Sequence, residues 1–228
     1  KRLWGFKIND TNRFFIRSVD IVNEKSPLKS SVPVYVKRPV SNFLLVNAYD
    51  KNIADAEDFY TGNLAKSGIN NMDIVRVKEV ENDTFTQLSA DNITQAKVFQ
   101  LFDYIFLFGK EVGYSLSLAQ RTTDGFFNQG GKMFLSVEIA ASIDDQAGYL
   151  DFTPVDSLVA LPKGVNGFRI YQDSKVKPVL NGWPHLKSYP NKLIPSARPF
   201  FEDVNSTPLY DAEIVQTGSS GASEWKGK

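Results

Sequence analysis

Asp103–Gly109, "DYIFLFG", decides how this chain is read. Five apolar or aromatic residues stand between an acid and a glycine, with no polar alternation among them. A run this short and this continuous is a strand covered on both faces, the kind found in parallel sheets. Such a strand needs crossovers on either side, and the flanking sequence supplies them.

Working back, Asp91–Leu101, "DNITQAKVFQL", opens on an N-cap candidate and places Ile93, Val98 and Leu101 on roughly one helical face. Asp73–Lys78 alternates as a strand. Asp55–Ser67, "DAEDFYTGNLAKS", sets Ala56, Phe59, Tyr60 and Leu64 at helical spacing and stops at Gly68. Phe43–Asn47, "FLLVN", is a second continuous apolar run. Working forward, Tyr114–Gln129 reads as a helix, Gly130-Gly131 halts it, and Lys132–Val137, "KMFLSV", is a fourth strand. Strand and helix in strict alternation predict a parallel sheet with right-handed crossovers.

Outside this block the rhythm changes. Arg13–Asp20 and Ser31–Lys37 read as half-buried strands, with a turn at Asn23–Pro27 and a linker at Arg38-Pro39-Val40. Two such strands form a hairpin that needs a sheet to join. Beyond Ala141, Asp151-Phe152, Ser157–Ala160, Gly167–Tyr171 and Pro178–Leu180 are short strand candidates. Pro184, Pro190, Pro195 and Pro199 break any long element. Ile214–Gln216 is a last strand before a turn at Gly218–Gly221. The expected organisation is residues 1–39, 40–217 and a tail or new segment at 218–228.

Composition removes several function classes. Of 228 residues 42% are hydrophobic and 23% charged, the balance of a globular protein. Basic and acidic side chains number 26 each, so no general electrostatic footprint for nucleic acid is expected. No apolar run approaches the ~18 residues that would span a bilayer. Cysteine is absent, which excludes disulfides, thiolate nucleophiles and Cys-based zinc sites. No glycine-rich phosphate loop and no EF-hand loop occurs, and no cofactor or metal is expected; calcium through Asp144 and Asp145 is the weak alternative. Asn9, Asn82, Asn92 and Asn205 begin N-x-[ST] matches that decide nothing by themselves.

Two resemblances follow from these stretches. "FFIRSVDIVNEKSPLKSSVPVYV", Phe14–Val36, resembles the last two strands of a fibronectin type III or related immunoglobulin-like module, with Asn23 where such modules usually carry Gly. A β-hairpin extension of the main domain is the alternative. Asn42–Ile69, "FDYIFLFGK" at Phe102–Lys110 and "SLSLAQRTTDGFFNQGGKMFLS" at Ser115–Ser136 resemble the class I glutamine amidotransferase-like fold. More narrowly they resemble its non-amidotransferase branch in exported bacterial multidomain proteins. The resemblance implies an α/β parallel-sheet three-layer sandwich over roughly residues 42–215.

Active members of that family use a Cys on a sharp turn after the strand matching Lys132–Val137, with a His and an acid further on. Here no Cys exists, and Ser136, the serine at this strand's end, precedes the β-branched Val137 and has no flanking Gly, so a nucleophile elbow is not expected. Ser136 with the single His, His185, or Glu138 as a general acid or base, are the catalytic candidates. The plain alternatives are a satisfied hydroxyl, a loop histidine and a capping carboxylate.

Asn47, Asp50 and Gly109 fall at the carboxyl edge of the sheet, where α/β folds bind ligands. Asp50, Asp55, Glu57 and Asp58 equally complement a helix N-terminus. Trp183 and Tyr189 belong to a dense aromatic set that either lines a carbohydrate or peptide groove or builds a core. "SKVKP" and "KRP" are short basic stretches, read as solvated faces. The expectation is a non-catalytic binding or scaffolding domain of an exported bacterial protein, in polysaccharide or protein acquisition at the cell envelope. A hydrolase with a non-Cys site and a carbohydrate-binding module are the alternatives.

Overall fold

A computed structural model describes residues 7, 9–49, 51–77, 92–109, 119–137, 152–160, 168–170, 174–188, 194–197, 199–218 and 221–227. The protein is a mixed α/β structure: a four-stranded parallel sheet, several antiparallel pairings and few helices.

At the centre lie β5 (Phe43–Asn47), β6 (Asp73–Arg76), β7 (Tyr104–Gly109) and β8 (Lys132–Val137), in the spatial order β6-β5-β7-β8 and all parallel. Alternation along β5 splits the core. Leu44 and Val46 face one side with Val75, Ile105, Leu107, Phe99, Ala119 and Phe126. Leu45 faces the other with Phe106 and Phe108, under Ala56, Tyr60 and Leu64 of α1 (Ile53–Lys66). Both faces are dressed in apolar side chains, which is why these strands read as unbroken hydrophobic runs.

The helices stop as the glycines suggested. After α1, Gly68 takes φ +88°, its N–H reaches Ala65 O at 3.0 Å, and Ile69 N–H reaches Leu64 O at 2.9 Å. This is the Schellman arrangement, which satisfies the orphan carbonyls of a last turn. The same pair of bonds closes the helical segment before β8, Gly130 N–H to Phe127 O and Gly131 N–H to Phe126 O. The expected helix Tyr114–Gln129 is interrupted. Residues 119–122 are helical, Thr123 bends, and a further turn, α3, runs Asp124–Phe127; residues 114–118 lie outside the described residues. The expected Asp91–Leu101 helix is α2, Asn92–Phe99.

The N-terminal hairpin exists, with an earlier turn and shorter strands than expected. Asp20, not Asn23, begins its turn: the Asp20 carboxylate accepts the N–H groups of Val22 and Glu24 at 2.9 and 2.8 Å. Asn23 takes φ +64°, a conformation Asn tolerates where Gly is the usual choice. That tight turn pairs β2 (Phe15–Ile16) with β3 (Lys29–Ser30), and β4 (Val34–Val36) with β1 (Asp10–Asn12). The half-buried face expected here is instead exposed, with Ile16 at 75% and Val32 at 76%. A two-stranded ribbon has no second layer to cover it, and none of the described residues provides one. Asp73, at the start of β6, ties the ribbon's exit to the sheet. Its carboxylate accepts Val40 N–H at 2.7 Å and Ser41 N–H at 3.1 Å and pairs with Lys37 Nζ at 3.2 Å.

The C-terminal third is antiparallel. β9 (Val155–Leu158) pairs with β14 (Phe200–Glu202). A second sheet runs β12 (Leu186–Lys187), β11 (Lys175–Pro178), β15 (Tyr210–Gly218), β10 (Phe168–Ile170), β13 (Ile194–Ala197), with β16 (Gly221–Gly227) along the other side of β15. Several strands are displaced from their expected positions. Phe152 lies in a turn, and the strand expected at Pro178–Leu180 is Lys175–Pro178. The expected turn at Gly218–Gly221 is the hairpin joining β15 to β16, with those two glycines paired. Pro195 sits inside β13, an end strand of the sheet path, where a missing N–H is tolerated.

Candidate functional site

The carboxyl edge of the parallel sheet is built from the ends of β5, β6, β7 and β8 and the first turns of α1. Asn47 ends β5 directly opposite Arg76, which ends β6. Asn47 is 1% exposed. Its Nδ2 donates to Ile53 O at 3.1 Å and to Glu57 Oε2 at 3.3 Å, and its Oδ1 accepts the Tyr49 N–H at 3.1 Å. Arg76 grips the same carboxylate in two places, Nε to Oε2 at 3.0 Å and Nη2 to Oε1 at 3.3 Å.

Asn47, Glu57 and Arg76 therefore form one buried network. Both amide hydrogens of Asn47 and both oxygens of Glu57 are used internally. A buried pair with this fork geometry fixes the start of α1 against β6. Glu57 was legible as a helix-start acid. Arg76 carried no signal beyond a basic residue at the end of an alternating strand.

On the α1 face, Tyr60 lies across the sheet. Its ring centroid is 4.1 Å from that of Phe108 and 5.1 Å from that of Phe106. The Tyr60 hydroxyl reaches Ser136 Oγ at 3.0 Å. Tyr49 adds its ring against Phe108 at 5.9 Å. Ser136 itself stands inside β8, in register with Phe108, and has no positive φ. Gly109, buried at the end of β7, pairs with Val137. The polar positions at this edge are thus occupied by one another and by the rings of Tyr49 and Tyr60.

His185 is elsewhere. It is exposed in the loop between β11 and β12 of the antiparallel sheet and makes no hydrogen bond to Ser136. Trp183, in the same loop, is 44% exposed and packs edge-on against Tyr210, centroids 5.8 Å apart at 74°. Gly182, at φ +87°, makes the bend that presents it. Asp50, Glu138, Tyr189, Asp144 and Asp145 lie outside the described residues. Among the described residues no cluster of three or more His, Asp or Glu is placed to hold a metal ion, and no helix is long and apolar enough to cross a membrane. No protein-family model, curated protein or solved structure matches this chain.

Proposed function

We propose that this chain is a non-catalytic binding domain. On this reading it is an amidotransferase-like three-layer α/β unit, without that family's nucleophile, attached to the end of an immunoglobulin-like module. It belongs to an exported bacterial protein and serves capture of polysaccharide or protein at the cell envelope.

The contact between Tyr60 and Ser136 carries the reading. A serine that attacks needs a base to take its proton and a strained, open position from which to reach substrate. Ser136 has a phenol as its partner, a regular strand as its backbone and aromatic rings as its surroundings. The hydrolase alternative that pairs it with His185 finds no bond between the two. The carbohydrate alternative is favoured by one observation, the half-exposed Trp183 ring held by Tyr210.

The test is binding to an array of envelope polysaccharides, run beside turnover of an activated ester. The expected result is glycan capture that survives Ser136→Ala, with no ester hydrolysis above buffer. Hydrolysis that disappears with Ser136→Ala would overturn the proposal.

A further inference from the structure

The loop joining β11 to β12 is held at its base and free at its tip. On one limb Val179 N–H donates to Leu209 O at 2.9 Å, and on the other Ser188 N–H donates to Ser174 O at 2.9 Å. Between them Leu180, Asn181, Gly182 and Trp183 make an exposed turn. Gly182 takes φ +87° and Asn181 does not take a positive φ, the pattern of a type II turn with Asn second and Gly third.

A β-turn bonds the N–H of its fourth residue back to its first, which leaves the N–H of the third to water. Among the described residues no hydrogen bond engages the Gly182 N–H or the Asn181 side chain. A Cβ built on Gly182 would meet nothing within 4 Å, so this peptide can rotate without displacing a neighbour. Glycine also lets its own nitrogen be approached closely, because no side chain shields it.

We propose that Asn181-Gly182 is a site of self-modification, at which the chain converts Asn181 to an aspartyl or isoaspartyl residue through a cyclic imide. The Gly182 nitrogen, having lost its proton to solvent base, attacks Asn181 Cγ. The new N–C bond closes the ring, and the bond from Cγ to Nδ2 breaks, releasing ammonia. Water then adds to either ring carbonyl and opens the imide, so that overall one amide becomes one carboxylate and the main chain stays intact. Opening at one carbonyl restores the ordinary backbone. Opening at the other routes the backbone through the side chain and lengthens it by a methylene. Either product adds a negative charge at the tip of the hairpin. The site is independent of the binding role proposed above.

Asn205-Ser206 is the internal comparison. Asn205 is exposed too, but Ser206 N–H donates to Asp203 O at 2.9 Å and Asn205 N–H to Asp203 Oδ1 at 2.8 Å. There the attacking nitrogen is already engaged and has a side chain beside it. The other Asn-Gly pair of the chain, Asn166-Gly167, lies outside the described residues, and peptide mapping reads it separately.

The experiment is incubation of the purified chain in mildly alkaline buffer, folded and in guanidinium, followed by peptide mapping that resolves aspartyl from isoaspartyl products. In the folded chain Asn181 is expected to convert within about twofold of its unfolded rate, since an open turn needs no unfolding to react. Asn205 is expected to be slowed by folding about fivefold or more, the worth of one backbone hydrogen bond. Both products should appear at position 181, faster at alkaline than at mildly acidic pH. Gly182→Ala should slow the conversion about tenfold, as the added Cβ crowds the attacking nitrogen. The same comparison in guanidinium keeps that result apart from any effect of the variant on the hairpin.

Protection of Asn181 by folding of about tenfold or more, an aspartyl product without the isoaspartyl one, no effect of Gly182→Ala in guanidinium, or conversion of Asn205 as fast as that of Asn181 in the folded chain would each overturn the proposal.

Discussion

Tyr60 Oη and Ser136 Oγ are joined by a 3.0 Å hydrogen bond that runs from the middle of α1 to the last strand of the parallel sheet, 76 residues away in sequence. It gives the Ser136 hydroxyl a phenol as its partner within a regular strand. A neutral bond of this type contributes about 1 kcal/mol net. Tyr60→Phe and Ser136→Ala are each expected to cost about that much in chemical denaturation. The double variant should cost clearly less than the sum of the two, because the partners share one interaction. Additive losses would show that the two hydroxyls act independently.

Arg76 and Glu57 form a buried fork, each side chain 10% exposed. Removing one partner strands the other charge, and Arg76→Ala or Glu57→Ala is expected to cost about 3–5 kcal/mol. Replacing both together, as in Glu57→Leu/Arg76→Met, should recover most of that loss, since no charge is left unpaired. Urea melts of the three variants check the order. A double variant as unstable as the singles would mean that the network's remaining contacts, including that of Asn47, dominate.

Gly131 sits against the Phe126 ring, and a Cβ added there would overlap it. Phe126 is itself buried in the core and has little room to move. Gly131→Ala is therefore an overpacking change, expected to destabilise by about 1–3 kcal/mol. Gly130, at φ +82° with open space around it, fails for a different reason: an alanine fits sterically against its neighbours but strains its own backbone, for a loss of about 1 kcal/mol. Thermal melts of the two variants, each with Gly→Asn as comparison, separate the causes. Asn should rescue position 130 and worsen position 131.

Asp73 accepts two backbone N–H groups and the Lys37 ammonium, and so pins residues 37–41 to the sheet. Asp73→Ala leaves those donors to water and loses charge-assisted bonds worth about 1.5–3 kcal/mol each before any compensation. The expected outcome is faster proteolysis between the ribbon and β5, at the Arg38-Pro39-Val40 segment, with the parallel sheet still protected. Cleavage kinetics unchanged from the parent would show that the ribbon is held by other contacts.

How far the residues foretold this structure varies along the chain. Phe43–Asn47 and Tyr104–Gly109 were legible because strands buried on both faces leave an unbroken apolar signature, Lys132–Val137 because its apolar run follows a glycine stop although Phe134 of this end strand is exposed, and Gly68 and Gly130 because a helix end needs a left-handed residue. The ribbon was half legible: its turn was expected at Asn23–Pro27, but the Asp20 carboxylate fixes a bend that begins three residues earlier. β12, β13 and β14 were hidden, since strands of two to four residues are too short to show a period, and β16 because Gly and Ser break its pattern. At the site, Asn47, Gly109 and Ser136 were placed at the right edge of the sheet. The partners that close it, Arg76 and Tyr60, were not foreseen, because the contact of a helix residue with a strand distant in sequence leaves no local pattern.

Whether Ser136 can attack is settled most directly by intact-mass analysis after incubation with a fluorophosphonate, a reagent that marks activated serines. The account predicts an unchanged mass after prolonged exposure at excess reagent. A single phosphonyl adduct mapping to Ser136 and lost in Ser136→Ala would contradict it.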